Sequence, residues 1–308
     1  MRLKFLVPLG QVQERWRHDR QEFLAKAKEL GVDVTLQATS FVIHSQSQQA
    51  EKALLEGVDV LAVIASTTLS PAPIVEFARK AGVPVIAYDR LIKDCGLDLY
   101  ISFDNEKVGE LQARYLVDRR PKGKYLKIGG PLEDNNSPFF HKGQMGVLRP
   151  YVDCGDIKLA GDQPAKDWLP AEAYRITKEA LDQSGPLDAV LASNDGLAEG
   201  AVQALKEKDL AGKTLVTGQD AELAACQRIV AGTQSMTVYK PIKSLASTAI
   251  EMALALWKKE NLSSKTTTVS NGRMPVPSVL LPPILVDKSN LEEKVIGDGF
   301  QKKAEVFR

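Results

Sequence analysis

The chain has 308 residues, 44% of them apolar and 26% charged, with a formal net charge of +1 at neutral pH. That length favours about two domains over a single core. The balanced charge leaves no electrostatic footprint for nucleic acid or a membrane surface, and the longest apolar runs are strand-sized, too short for a spanning helix.

The chain opens Met1-Arg2-Leu3-Lys4 and enters a strand, Lys4 to Leu9, without the apolar stretch of an export signal. The expectation is a cytoplasmic protein or a mature chain whose signal has been removed. Glu14 to Leu30 has helical spacing (Trp16, Phe23, Leu24, Ala27, Leu30) and stops at Gly31. Val32 to Gln37 reads as a strand, Ser45 to Leu55 as a helix and Val58 to Ile64 as a continuous apolar strand. Pro71 to Ala81 carries proline near its start and Gly82 past its end, the usual helix asymmetry. Val83 to Tyr88 is a buried-strand run that ends abruptly in Asp89-Arg90. This alternation predicts a parallel sheet covered by helices on both faces.

Leu99 to Phe103 reads as a strand and Asn105 to Val117 as a helix. A second alternating series follows, with strands at 125–128, 157–160, 189–192 and 214–217 and helices at 143–148, 171–181, 197–205 and 221–230. Strand Ser235 to Tyr239 leads into a long helix, Ile242 to Lys258. Thr266 to Ser270, Val276 to Leu281 and Ile284 to Asp287 are short and strand-like, and the last stretch has no strong period. The pattern predicts an α/β protein of two Rossmann-like lobes, residues 1–103 with 242–281 and residues 104–241 with 282–308. Three chain crossings, near 103–104, 239–242 and 281–284, would make a hinge.

Cys95, Cys154 and Cys226, like His18, His44 and His141, are too scattered for a disulfide framework or a metal motif, and no cofactor is expected. Polar clusters instead fall where strands end: Glu14-Arg15-Trp16, Asp89-Arg90, Asp134-Asn135-Asn136, Ser193-Asn194-Asp195, Gly218-Gln219-Asp220 and Lys240, with Asp167-Trp168 just before a helix. In open α/β sheets, ligands bind beyond the carboxyl ends of the strands. Carboxylate, amide and guanidinium groups each grip two neighbouring hydroxyls, and indole rings cover the apolar C–H faces of a pyranose, so the set suits a neutral sugar. Asn194 and Asp220 read equally as helix N-caps, Trp16 and Trp168 as core residues, and Lys240 as a surface lysine.

The same segments carry a family resemblance. Glu14-Arg15-Trp16 with Asp19-Arg20, Ala87-Tyr88-Asp89-Arg90, the run Tyr100 to Ala113, Asp134-Asn135-Asn136, Gly161-Asp162-Gln163, Ala192-Ser193-Asn194-Asp195, Gly218-Gln219-Asp220-Ala221, Ala231-Gly232-Thr233-Gln234 and Met236 to Pro241 resemble the periplasmic sugar-binding proteins of ABC transporters over nearly the whole length. The resemblance implies a type I periplasmic-binding-protein fold that closes like a jaw on a monosaccharide, D-xylose favoured, and is then read by a membrane permease or, alternatively, a sensor. It implies that Arg15, Asp89 and Arg90 contact sugar from the first lobe, that Asp134, Asn136, Asn194, Asp220 and Lys240 do so from the second lobe or the hinge, and that Trp16 and Trp168 sandwich the ring. It also implies an extracytoplasmic location.

One segment departs from the family pattern. Thr39-Ser40-Phe41-Val42-Ile43-His44-Ser45 replaces an expected polar turn, and Phe41-Val42-Ile43 is either a protein contact or a locally repacked loop. An α/β enzyme would need a G-x-G-x-x-G, P-loop or G-x-S-x-G segment after a strand, and none is present. A repressor core of this architecture would need a basic helix-turn-helix before its first strand, whereas Met1 leads directly into one.

Overall fold

A computed structural model describes residues 1–8, 15–39, 43–65 and 71–308. Glu14, Phe41 and Val42 lie outside the described residues. Two compact units emerge: residues 1–103, 133–135 and 242–281 form unit 1, and residues 104–132, 136–241 and 282–308 form unit 2. Residues 133–135, Asp134 among them, were expected with the second lobe and instead group with unit 1, where Arg90 pairs with Asp134 and Leu91 O accepts from Asn135.

Unit 1 begins β1 (Arg2–Pro8), α1 (Arg15–Glu29), β2 (Asp33–Thr39), α2 (Ile43–Leu55), β3 (Val60–Val63), α3 (Ala72–Lys80), β4 (Val85–Tyr88) and β5 (Leu99–Phe103). β3, β4 and β5 are buried at every residue, which is why they read as unbroken apolar runs. Helix α1 buries Trp16, Phe23 and Ala27 on one stripe. Leu24 and Leu30, counted with that stripe on spacing, are exposed. Phe5 stacks on Phe23 at 4.1 Å, and Tyr88 meets Phe5 edge-on at 5.1 Å. This aromatic cluster anchors the strand that carries Asp89.

Unit 2 opens with α4 (Asn105–Arg119), whose first turn is capped by Asp104 accepting from Lys107 N at 2.9 Å. β6 (Gly123–Gly129), α5 (Ser137–Asp153), β7 (Ile157–Pro164), α6 (Pro170–Ser184), β8 (Ala189–Ala192), α7 (Asp195–Lys206), β9 (Leu215–Val216), α8 (Leu223–Val230) and β10 (Met236–Tyr239) follow. The parallel sheet is ordered β7-β6-β8-β9. Helix α5 starts six residues before the expected Gly143 because Pro138 sits in its first turn, where the missing N–H costs nothing. Helix α8 starts at Leu223 rather than Ala221 because Asp220 and Ala221 have φ of 99° and 51°, incompatible with a right-handed helix.

The chain returns to unit 1 with α9 (Ile242–Trp257), which packs on α1, then β11 (Thr267–Ser270) and β12 (Pro275–Leu281). The sheet of unit 1 is thereby ordered β11-β12-β5-β4-β3-β1-β2, parallel throughout except for β11. β13 (Ile284–Asp287) closes unit 2 by pairing antiparallel with β10. The tail, without period in sequence, forms a π-helical turn (Glu292–Ile296) and α10 (Lys303–Val306), and buries Leu291, Val295 and Val306 against Cys226, Ile229 and Tyr239. Among the described residues, no helix is long and apolar enough to cross a membrane.

Candidate ligand-binding site

In unit 1 the site is built on the end of β4. Asp89 stands at φ 65°, a conformation disfavoured for any residue with a Cβ. Its neighbours hold it there. Asp89 N donates to Ile101 O at 2.8 Å, and Arg90 N donates to Tyr88 O at 2.7 Å, closing a three-residue turn. The Asp89 carbonyl accepts from Ser102 Oγ at 2.9 Å and from Tyr100 Oη at 3.2 Å. Sheet neighbours on β5 therefore aim the acid.

The Asp89 carboxylate pairs with the Arg15 guanidinium, and both side chains are almost wholly buried. Arg15 Nε lies 3.5 Å from Asp19 Oδ2, and Tyr88 Oη donates to Asp19 Oδ1 at 2.6 Å. Burial first, and the Asp19 charge second, push the Tyr88 phenol well above its ordinary range, so it stays a donor. The Trp16 ring lies 4.9 Å from the Arg15 guanidinium and 5.4 Å from that of Arg90. Arg90 in turn pairs with Asp134 at 2.9 Å and donates to Ala65 O at 3.2 Å. Arg15, Trp16, Asp89, Arg90 and Asp134 thus form one contiguous cluster of fixed acids and bases around an indole.

In unit 2 the expected residues follow successive strands. Asn136 accepts from Asn105 Nδ2 at 3.0 Å and does not use its side chain to cap α5. Trp168 is buried edge-on against Phe140, with centroids 6.3 Å apart, and lies so close to Gly130 that a Cβ there would fall 2.1 Å from the indole. Asn194 caps α7 through Oδ1, which accepts from Leu197 N at 2.8 Å, so its amide group is the part available for other work. The N-cap residue of α8 is Glu222 rather than Asp220; the Asp220 carboxylate meets Lys240 Nζ at 2.8 Å, and Lys240 is buried rather than a surface lysine. Asp220 and Lys240 are joined directly, while Asn136, Trp168 and Asn194 each have separate partners.

Three further buried residues, Asp19, Gln112 and Asp195, fall within the segments named from sequence but without a role of their own there. Asp19 buttresses Arg15, and its position four residues later on one helix face was the available signal. Gln112 donates to Ser193 O at 3.1 Å and Gly218 O at 3.0 Å, tying together the ends of β8 and β9. Asp195 is fully buried, and burial pushes its carboxyl up to about 7 against the opposing pull of Arg228. A separate cavity of about 400 Å³ in unit 2, lined by Lys127, His141 and Asp162 among others, contains none of the expected site residues. Among the described residues, no cluster of His, Cys, Asp or Glu is arranged to hold a metal ion.

A periplasmic binding protein domain model matches residues 5–261. The chain is 49% identical over 294 residues to the D-xylose-binding periplasmic protein of Escherichia coli (strain K12), covering 95% of this chain and 89% of that protein. It is 37% identical to the multiple sugar-binding periplasmic receptor ChvE of Rhizobium radiobacter, over 94% of this chain and 87% of the other. Among solved structures it resembles an ABC transporter solute-binding protein from Clostridium phytofermentans with bound β-D-glucose. The TM-score is 0.90 and the identity 29%, over 99% of this chain and 100% of that one.

Proposed function

The chain belongs to the periplasmic binding protein domain family, and from that premise we propose that it is a non-enzymatic receptor for a monosaccharide, D-xylose in the first place, which both units grip and close upon. The observation that carries the reading is the buried, mutually braced set Arg15, Asp89, Arg90 and Asp134 around Trp16. Fixed acids and guanidinium groups beside an aromatic face match a molecule with vicinal hydroxyls and an apolar C–H surface. Asn136, Asn194, Asp220 and Lys240 would supply the remaining polar contacts, with Trp168 against the second face of the ring. Relatives whose names specify D-xylose support the choice of sugar.

Such a receptor works outside the cytoplasm and hands its sugar to an ABC permease that recognises the closed form. Closure is then a population shift driven by contacts that the sugar makes only in that form.

Thermal unfolding with D-xylose, D-glucose, D-ribose, L-arabinose and no sugar tests the reading. Ligand at about a hundred times its dissociation constant stabilises by roughly 2.7 kcal/mol, several degrees for units of this size. A shift with D-xylose alone is the expected result. No shift with any sugar would overturn the proposal.

A further inference from the structure

Asp220 is carried by a turn that should not be stable by itself. Asp220 and Ala221 both have positive φ, 99° and 51°, in consecutive non-glycine residues. The strand β10 holds it in part, with Asp220 N donating to Val238 O at 2.9 Å and Val238 N to Gly218 O at 3.1 Å, and Gln301 Nε2 donates to Ala221 O at 3.1 Å. Asp195 supplies a further set of bonds. Asp195 Oδ2 accepts from Glu222 N at 3.0 Å and from Thr237 Oγ1 at 3.0 Å, while Oδ1 accepts from Gln234 Nε2 at 2.8 Å. Asp195 N donates to Gln219 O at 3.0 Å. Thr237 Oγ1, held by Asp195, accepts from Ala221 N at 3.2 Å. Gly218 lies against the carboxylate so closely that a Cβ there would be 2.0 Å from Oδ1.

We propose that Asp195 is a positioning residue for ligand recognition: its carboxylate clamps the 218–222 turn in its left-handed form and so fixes where the Asp220 carboxylate stands. An acid in the first turn of a helix ordinarily serves the helix dipole. Here the carboxylate bonds to α8's entry, to β10 and to Gln234. The charged groups facing it are Arg228, whose Nη2 donates to Asp195 O at 2.9 Å and whose Nε orients Gln234 at 2.9 Å, and Asp220 itself. Three donors converge on two oxygens, so an amide in that place must forfeit at least one of them.

The functional consequence rests on the sugar-binding reading, whereas the clamp itself does not, and two readouts separate them. Calorimetric titration with D-xylose is expected to show D195N weakened about tenfold or more, the scale of a lost hydrogen bond to a charged group. Because D195N can also loosen the fold, T237V and T237S provide a second pair with Asp195 intact. T237V is expected to lose affinity, and T237S, which keeps the bridging hydroxyl, to restore it. Amide exchange of Ala221 and Glu222, measured without sugar, is expected to quicken in D195N and T237V and to remain slow in T237S. Wild-type affinity in both D195N and T237V, or unchanged exchange at Ala221 and Glu222, would overturn the clamp. Failure of wild-type protein to bind any sugar, with exchange still quickened, would overturn the sugar reading and leave the clamp standing.

Discussion

The Lys240 ammonium meets the Asp220 carboxylate at 2.8 Å, with side-chain exposures of only 2% and 9%. Removing one partner leaves the other charge buried and uncompensated. K240M is therefore expected to lower unfolding free energy in urea by about 3–5 kcal/mol. Adding D220N should recover a large part of that loss, because the stranded charge is then gone. A double variant as unstable as the sum of the two single ones would refute the pairing.

Arg15 does more than balance a charge. Its guanidinium reaches Asp89, approaches Asp19 and stacks on Trp16. A lysine keeps the charge and loses the planar fork. R15K is expected to lose about 1.5–3 kcal/mol of stability, with weaker D-xylose binding alongside it. Wild-type stability and affinity in R15K would mean that only the charge matters there.

Asn194 caps α7 and, under the proposed function, would also contact the sugar; two substitutions separate these tasks. N194S keeps an oxygen acceptor for Leu197 N, while N194A does not. N194A should be about 1 kcal/mol less stable than the parent and N194S nearly unchanged. Both lose the amide, so under the proposed function both bind D-xylose more weakly. Retained affinity in N194S would restrict Asn194 to capping.

Asp195 gives stability a definite dependence on pH. Its carboxyl is pushed up to about 7 in the folded protein, chiefly by burial, from an ordinary value of 3.8. Between those values the folded chain holds a proton that the unfolded chain has released. Stability should therefore fall as pH rises from about 4 to about 7 and level off above that. Urea unfolding across that range is expected to show this component in the parent and not in D195N. Identical slopes in the two proteins would contradict it.

The three thiols should divide by accessibility. Cys154 is exposed, whereas Cys95 and Cys226 are buried, and burial pushes the Cys95 thiol up to about 11. The native protein is expected to react with a thiol reagent at Cys154 alone, and at all three after unfolding. Reaction of Cys95 at the rate of Cys154 would show that its enclosure opens readily.

The alternating apolar runs made both α/β series legible in sequence, since buried parallel strands leave a continuous signature at Val60–Val63, Val85–Tyr88 and Ala189–Ala192. Acids and amides after those strands marked the candidate site, although the same residue types serve equally as helix N-caps, as Asn194 does. The left-handed Asp220-Ala221 step was not legible, as neither residue signals positive φ and the bonds that enforce it come from Asp195 and Thr237 far along the chain. The tail was equally opaque. Leu291 and Val295 stand at helical spacing but over a single turn, too short a run to register as an element, and Val306 lies well beyond them; all three are buried against Cys226, Ile229 and Tyr239.

The parallel pairing of β12 with β5 also bears on how the chain is made. Tyr100 lies opposite Ser278, so the sheet of unit 1 gains its last parallel strand only when residues 275–281 arrive. Unit 2 waits as well, for β13 and the tail. At a synthesis rate of about 5–20 residues per second, neither unit can complete itself on the ribosome until these late segments have emerged. Closing so long a loop is itself slow. The nascent chain thus has a window in which neither unit holds its full set of strands.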